Sequence, residues 1–300
     1  MYAIGVDLGG TRIKSVVLDQ QGNLLHEELS PTQDNDHQHW KQTVAKAVHE
    51  LRKRVNTAEV VVGLSAPGLP NENNTAIAHM PGRLQGLEHF IWNDFLEIPA
   101  FVINDAVAAL MAEVKWGAAM HYKNVVMLTL GTGVGGAILI NGQLYQGAFH
   151  KAGHVGHMVI NDQAGPDITG MPGSLEDCVG NCTLEKRSQG KYQRTEALID
   201  DVKRGDPFAQ AIWTQSIRHL AIGLASITNI LSPELIVLGG GISQAGAVLF
   251  DPLEKFMAQF EWRAGGHKVN IVQAKFSDLA GAITVCLSLS ERQARSSGLM

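Results

Sequence analysis

At 300 residues the chain is long enough to form two domains with cores of their own. Its net charge of −5 lacks the basic field that a nucleic-acid-binding protein needs, and no apolar run reaches transmembrane length. The three cysteines form an odd, low count without a signal peptide, which predicts a reducing compartment. We therefore expect a cytoplasmic protein with no nucleic-acid and no membrane partner.

The N-terminal stretch predicts a β-hairpin with a glycine turn. Residues 2–8 alternate between apolar and small side chains, and residues 13–18 form a second apolar run. The turn between them contains Gly9, Gly10 and Thr11. Because glycine has no Cβ, such a turn lets backbone N–H groups approach an anion closely. On this stretch alone, an ordinary hairpin is the simpler interpretation.

Charged side chains on either side of this turn suit a magnesium nucleotide. Asp7 lies just before the turn, and Lys14 lies in the second predicted strand. Mg²⁺ is held by one or two carboxylates together with phosphate oxygens. Asp7 is therefore a candidate contact for the Mg²⁺ of a nucleotide, and Lys14 is a candidate cation for its phosphates.

Two further predicted strands end in polar residues. The apolar run 59–64 is typical of a strand buried in a parallel sheet, and the loop 65–68 follows it. A short strand over 101–103 is followed by Asn104 and Asp105. Since open α/β sheets bind ligands at the carboxyl ends of their strands, both places are candidate sites.

A second glycine hairpin repeats the layout of the first. A buried strand over 125–130 leads into the glycine-rich turn 131–136, and residues 137–140 form the return strand. Asn141-Gly142 is then a strong turn signal. Strand, glycine turn with threonine, and strand thus occur in each half of the chain, which indicates an internal duplication.

The periodic segments that remain predict helices and a division into two domains. Helices are predicted over 40–55, over 106–116, from Asp206 as N-cap to about Leu231, and over 280–289. We place the domain boundary near Gly117. Residues 1–117 with 280–300 then form a smaller N-terminal α/β domain, and residues 118–279 form a larger C-terminal one.

Four motifs in this order resemble those of the ROK family of sugar kinases, within the actin-like ATPase superfamily. Residues 7–14 and 130–135 resemble its two phosphate motifs, residues 104–106 its sugar and catalytic motif, and residues 238–242 its adenosine motif. The resemblance implies two actin-like (ribonuclease H-like) α/β domains around a central cleft. It also implies transfer of the γ-phosphate of ATP, with Mg²⁺, to a sugar hydroxyl, in a homodimer.

The resemblance also implies a role for each candidate residue. Asp105 is the general base that takes the proton of the sugar hydroxyl, although a plain helix N-cap is compatible with its position. Sugar contacts are implied for Asn104, Asp105, His154, His157 and Glu176, and we add Gly68, for which a simple turn is an equal interpretation. Nucleotide contacts are implied for Asp7, Gly9, Gly10, Thr11, Lys14, Gly131, Thr132, Gly133, Gly239, Gly240 and Gly241.

One departure from the family concerns the sugar. The family has glutamate at the position of His154. A glutamate accepts hydrogen bonds from two adjacent hydroxyls, whereas a neutral imidazole offers one acceptor and one donor. The sequence therefore leaves open a glucokinase, a fructokinase or an N-acetylhexosamine kinase.

A second departure concerns a structural zinc, which family members hold with a histidine and three cysteines. His157 matches that histidine, but Ser174 stands at a cysteine position, and no cysteine lies between the two. Because a zinc site needs about four nitrogen or sulfur ligands, we expect no zinc site. The alternative is a displaced site in which Cys178 and Cys182 join His150, His154 or His157.

Three other functions compete with a sugar kinase. A catalytically altered ROK-type protein that only binds a sugar or nucleotide would explain His154, but it has no need of a base at Asp105. A transcriptional repressor, as some family members are, would need a DNA-binding segment ahead of the first strand, and we see none. A polyphosphate-using kinase is disfavoured by the acidic net charge.

Overall fold

A computed structural model of the chain describes residues 2–10, 12–19, 23–32, 38–56, 59–80 and 84–276. The candidate Thr11 and the helix predicted over 280–289 lie outside the described residues. The chain divides into two compact units, and the division falls between Ala112 and Glu113. The boundary near Gly117 and the assignment of 280–300 to the first domain stay predictions.

The first unit is built on a five-stranded sheet with the order β3-β2-β1-β4-β7. Its elements in chain order are β1 (Tyr2–Leu8), β2 (Arg12–Leu18), β3 (Leu24–Pro31), α1 (His39–Val55), β4 (Val60–Ala66), β5 (Leu69–Pro70), β6 (Ile77–His79), α2 (Trp92–Leu96), β7 (Ala100–Asn104) and α3 (Asp105–Trp116), which crosses the division. The hairpin β1–β2 is antiparallel, whereas β4 pairs in parallel with both β1 and β7.

The core of the first unit follows from the residue pattern of its elements. Every residue of β4 is buried, as expected for a strand with neighbours on both sides. Helix α1 buries Trp40, Val44, Ala47, Val48 and Leu51, at the predicted helical spacing. The indole rings of Trp40 and Trp92 pack with their centroids 5.7 Å apart. This packing holds the sheet whose strand ends carry the candidate residues.

The strands extend further than the sequence indicates. Ser65, predicted as the start of a loop, lies in β4, because it pairs with Asp7 of β1 on one side and Ile103 of β7 on the other. In the segment between β4 and β7, the short strand β6 pairs with β5 in antiparallel orientation. The partners of Ser65 lie far from it in the chain, so local patterns do not reveal this pairing.

The second unit contains a five-stranded sheet with the order β10-β9-β8-β11-β12. Its elements in chain order are β8 (Val125–Leu130), β9 (Val134–Ile140), β10 (Gln143–Leu144), α4 (Leu175–Val179), α5 (Leu184–Arg187), α6 (Thr195–Arg204), α7 (Pro207–Leu231), β11 (Leu235–Gly239), α8 (Ala247–Phe260) and β12 (Asn270–Gln273). As predicted, Asp206 caps α7: its side chain accepts a hydrogen bond from the Ala209 N–H at 2.7 Å. The return strand β9 begins at Val134 rather than at Ala137, so the glycine turn is shorter than predicted.

The two sheets share one topology. In each, the first two strands form an antiparallel hairpin, a third antiparallel strand follows at one edge, and two parallel strands extend the sheet at the other. The internal duplication predicted from the glycine hairpins is therefore confirmed at the level of sheet topology. Among the described residues, no helix combines the length and the apolarity that a membrane crossing requires.

Candidate active site

The first glycine turn is fixed by polar contacts at the ends of neighbouring strands. The Ser65 hydroxyl donates a hydrogen bond of 2.6 Å to Asp7 Oδ1. The Thr32 hydroxyl donates one of 2.6 Å to the carbonyl of Gly9. A Cβ on Gly9 would lie 2.9 Å from the carbonyl oxygen of Arg12, so only glycine fits there without a shift. The Asp7 carboxylate is thus held beside a tight turn.

Asn104 ties the end of β7 to the loop that contains Gly68. Its Nδ2 donates to the Gly68 carbonyl at 3.0 Å, and its Oδ1 accepts from the N–H groups of Ala106 and Val107 at 3.0 and 3.2 Å. Asn104 is therefore the side chain that caps α3, a role that the sequence interpretation considered for Asp105. Gly68 has φ +98°, and a Cβ there would lie 2.6 Å from the His79 carbonyl oxygen, so the turn itself requires glycine.

Replacing Asn104 with alanine should lower the free energy of unfolding by about 1–2 kcal/mol, the usual effect of losing a helix cap. The Gly68 carbonyl would also lose its donor. Urea unfolding measures the change, with Asn73→Ala on the exposed surface of the same unit as the control. Equal stability of the two variants would contradict the capping role.

Asp105 begins α3 and is only partly exposed. Its Oδ1 accepts a hydrogen bond of 2.8 Å from the Ala106 N–H. Burial, and then the negative charge of Asp7, raise the pKa of Asp105 from 3.8 to about 6, although hydrogen bonds from the backbone and from Asn104 oppose the shift. The carboxylate is therefore a base whose pKa lies near neutral pH.

The second glycine turn is supported by the segment that follows α4. The N–H groups of Asn181 and Cys182 donate to the carbonyls of Gly131 and Thr132 at 3.0 and 2.8 Å. Arg187 stabilises that segment, since its Nη2 donates a hydrogen bond of 2.7 Å to the carbonyl of Gly180. The turn is thereby held with its own carbonyl groups occupied.

Glu176 lies against this turn. Its Oε2 accepts a hydrogen bond of 2.9 Å from the Val134 N–H and would collide with any Cβ on Gly133. In contrast, a Cβ on Gly131 would meet nothing within 4 Å. Gly131 is therefore not required by packing within the described chain, and the space beside it fits an anion that approaches the backbone.

The third glycine cluster follows β11 and packs on the second. Gly240 has φ +82°, and a Cβ there would collide with the carbonyl of Leu130, the last residue of β8. Gly241 has open space where a Cβ would stand. The structure therefore brings together the predicted second phosphate turn and the predicted adenosine turn within the second unit.

Two of the three histidines in the segment between β10 and α4, His154 and His157, are candidate sugar contacts. Among the described residues neither ring nitrogen of His154 has a hydrogen-bond partner, although both atoms are buried. Burial, and then the neighbouring His157, lower the pKa of His154 from 6.5, so its imidazole is neutral at pH 7. His157 Nδ1 lies 3.3 Å from Asp167 Oδ2. An unpartnered neutral imidazole fits a polar ligand that both donates and accepts.

The metal-ligating side chains of the candidate site suit Mg²⁺ on a nucleotide but not a zinc ion. Asp7 supplies the carboxylate oxygens that Mg²⁺ prefers, beside a turn that fits phosphate. Within the ranges that the structure describes, no three His, Cys, Asp or Glu side chains are grouped to hold a metal ion. Since Cys178 and Cys182 are among these residues, the described part of the chain does not support the displaced zinc site.

Several site residues are absent from the sequence interpretation. The partnership of Ser65 with Asp7 depends on the register of two parallel strands, and the only local signal is a polar residue at the end of each. Asp167 is signalled by the Asp-x-Thr spacing to Thr169, which is typical of a side chain that caps its own turn. Arg187 has no local signal.

Sequence comparison identifies related proteins along most of the chain. The model of the ROK family matches residues 3–289. A glucokinase from Halalkalibacterium halodurans is 30% identical over 280 residues, which cover 85% of this chain and 84% of that protein. A xylose repressor from Bacillus spizizenii is 24% identical over 290 residues, covering 94% of this chain and 75% of the repressor. The matching proteins thus include kinases and a regulator.

Solved structures match the fold. A ROK hexokinase from Thermus thermophilus has a TM-score of 0.80 at 27% identity, covering 98% of this chain and 100% of that one. A ROK family glucokinase from Streptomyces griseus, in complex with glucose and AMPPNP, has a TM-score of 0.82 at 24% identity, covering 97% and 100%. The predicted fold of two actin-like α/β domains is confirmed.

Proposed function

This chain belongs to the ROK family, and we propose that it is an ATP-dependent sugar kinase that transfers the γ-phosphate of MgATP to a hydroxyl of a hexose or related sugar. The observation that carries the proposal is Asp105, a carboxylate with a raised pKa at the N-terminus of α3, next to Asp7. A protein that only binds sugar or nucleotide needs no base there. Relatives named as glucokinases support the same activity.

Phosphoryl transfer requires positioning, charge neutralisation and a group that takes the hydroxyl proton. We assign the last role to Asp105, whose position at the start of α3 is set by the capping side chain of Asn104. We assign sugar contacts to His154, His157, Glu176, Asn104 and Gly68. Because the Asn104 amide already bonds the Gly68 carbonyl and the start of α3, its capacity for a sugar hydroxyl is smaller than the family resemblance implies.

We assign phosphate contacts to the two glycine turns with Lys14, and the adenosine contact to the third glycine cluster. The open space at Gly131 and Gly241 supports this assignment, because no packing within the described chain accounts for glycine at either position. When bound, Mg²⁺ neutralises charge on the phosphate oxygens, and Asp7 is the residue that would hold it. A homodimer remains an expectation from the family.

The value of kcat/KM for the sugar should fall as the pH drops through about 6. Asp105 accepts a proton only when it is ionised, and its pKa of about 6 means that it is largely protonated at pH 5. The rate should therefore reach a plateau above pH 7. Coupled assays from pH 4.5 to 8, with Asp94→Asn as a control for exposed carboxylates, measure the profile. A plateau that continues below pH 5 would rule out this base.

An ADP-release screen with MgATP against hexoses, N-acetylhexosamines, pentoses and polyols tests the proposed activity. A strong hit establishes the kinase and shows which sugar His154 selects. The second candidate is a binding or regulatory protein, favoured by His154 and by the match to a repressor. Sugar or ATP binding by calorimetry without ADP release in any reaction of the screen would favour that candidate.

A further inference from the structure

Asp167 is a buried acceptor at the centre of the loop 161–174. Its side chain is 0% exposed. Its Oδ1 accepts hydrogen bonds from the Thr169 N–H, the Thr169 hydroxyl and the Met171 N–H at 2.7, 2.7 and 3.0 Å. Its Oδ2 lies 3.3 Å from His157 Nδ1. A single carboxylate thus accepts hydrogen bonds from two residues of the loop and lies beside His157.

These donors keep Asp167 ionised. Burial alone would raise its pKa, but the hydrogen bonds from Thr169, Ser174 and Met171 hold it well below the usual range. An ionised carboxylate only accepts hydrogen bonds, so the proton between it and His157 belongs to Nδ1. In the neutral imidazole, Nε2 is then the acceptor. The His157 side chain is 36% exposed, so a ligand can reach that nitrogen.

The same carboxylate links His157 to the second glycine turn. Ser174 is fully buried and also caps α4, where its Oγ accepts a hydrogen bond of 3.3 Å from the Asp177 N–H. Helix α4 carries Glu176, whose carboxylate accepts from the Val134 N–H after that turn. A displacement of Asp167 would therefore disturb His157 and, through the loop that ends at Ser174, the helix that supports the turn.

A metal ion does not fit this arrangement. The groups that face Oδ1 are two backbone N–H groups, which cannot ligate a cation, and the Thr169 hydroxyl, which donates its hydrogen atom to that oxygen. Two of them come from Thr169, whose backbone and side chain both turn toward Oδ1. The loop hydrogen bonds occupy Oδ1, Oδ2 faces His157 Nδ1, and no third His, Cys, Asp or Glu of the described residues joins this pair to complete a metal site.

We propose that Asp167, and not a metal ion, organises the loop 161–174 and fixes His157 with its Nε2 as a hydrogen-bond acceptor for a hydroxyl of the substrate. The part that concerns the substrate rests on the proposed sugar kinase activity. The part that concerns the tautomer and the absence of metal stands without it. Asp167 is thus a positioning residue that acts through His157.

Asp167→Asn tests the proposal, with Asp162→Asn, an exposed carboxylate of the same loop, as the matched control. Asparagine has one carbonyl oxygen and one NH₂ group where aspartate has two acceptor oxygens. Its NH₂ group must therefore face either the loop donors at Thr169 and Met171 or the Nδ1–H of His157, so the loop network and the His157 tautomer cannot both persist. We expect the KM for the sugar to rise by about tenfold or more, as for loss of a hydrogen bond to a charged group, while the KM for ATP changes less. Thr169→Val should change the sugar KM in the same direction by less.

Nitrogen-15 NMR of the imidazoles, assigned with His157→Gln, measures the tautomer without any turnover. We expect the Nδ1–H form of His157 in the unmodified protein and its loss in Asp167→Asn. Elemental analysis should find less than one equivalent of zinc per chain, and activity should survive chelator treatment followed by desalting and fresh Mg²⁺. Stoichiometric zinc, or an Nε2–H tautomer in the unmodified protein, would overturn the proposal even if no sugar is phosphorylated. Failure of the sugar screen with the expected tautomer would overturn only the proposed function.

Discussion

Replacing Asp105 with asparagine is expected to lower kcat by about 10²- to 10⁴-fold, the usual contribution of a general base. The amide has nearly the same shape and can still accept the hydrogen bond from the Ala106 N–H, so α3 should begin as before. What it cannot do is take the proton of a sugar hydroxyl. The KM values for sugar and ATP should change much less than kcat, because the substitution removes an interaction made only in the transition state.

The same substitution should not destabilise the fold. A carboxyl group whose pKa is raised on folding stabilises the native state below its unfolded pKa and loses that contribution as the pH rises through about 6. At pH 7 the ionised Asp105 is therefore unfavourable in the native protein, and removal of its charge should leave the melting temperature equal or higher. Melting temperature and kcat are measured together, with Asp94→Asn as the control. Retained turnover in a folded Asp105→Asn protein would exclude Asp105 as the base.

The second prediction with a large effect concerns the adjacent residues Gly240 and Gly241, whose replacement by alanine should change the stability very differently. Gly240→Ala should lower the free energy of unfolding by about 1–3 kcal/mol or more, because its backbone (φ 82°, ψ 172°) lies in a region that only glycine adopts readily. The new Cβ would also collide with the Leu130 carbonyl. Both effects occur inside the second unit, so they require no ligand. Urea unfolding of the protein alone measures them.

Gly241→Ala should leave the stability within about 0.5 kcal/mol of the unmodified protein, since its Cβ would stand in open space. If the adenosine of ATP packs there, the added methyl group should weaken ATP binding by about tenfold, as overpacking usually costs ~1–3 kcal/mol. Calorimetry with a non-hydrolysable ATP analogue measures the affinity, and the sugar KM serves as the internal control. Unchanged affinity would remove Gly241 from the nucleotide site.

The sequence predicts best where the signal is local. The apolar spacing of α1, the uniform apolar run of β4 and the Asp206 cap of α7 each lie within one element, and the structure has them as expected. The edge strand β3 is missing from the prediction. It has one neighbour, β2, and its leucines Leu24, Leu25 and Leu29 are exposed and do not alternate toward a core, so no local pattern marks it as a strand.

The candidate site is predictable in its residue types but not in its partners. The glycine turns and Asp105 can be recognised in the sequence, because few residue types can approach a phosphate closely or accept a proton. The contacts of Ser65 with Asp7 and of Asp167 with His157 join residues that are far apart in the chain or in an irregular loop. Such pairs depend on strand register and loop conformation, which no short pattern encodes.

The composition of the loop around Asp167 also determines how this loop responds to oxidation of thiols. A zinc site built from cysteines loses its metal when peroxide attacks the thiolates, and the local structure is lost with it. Residues 161–174 contain no cysteine, and the groups that bind Asp167 there are hydroxyls and backbone amides, which peroxide does not attack. The geometry of this loop therefore does not depend on the thiol redox balance of its surroundings.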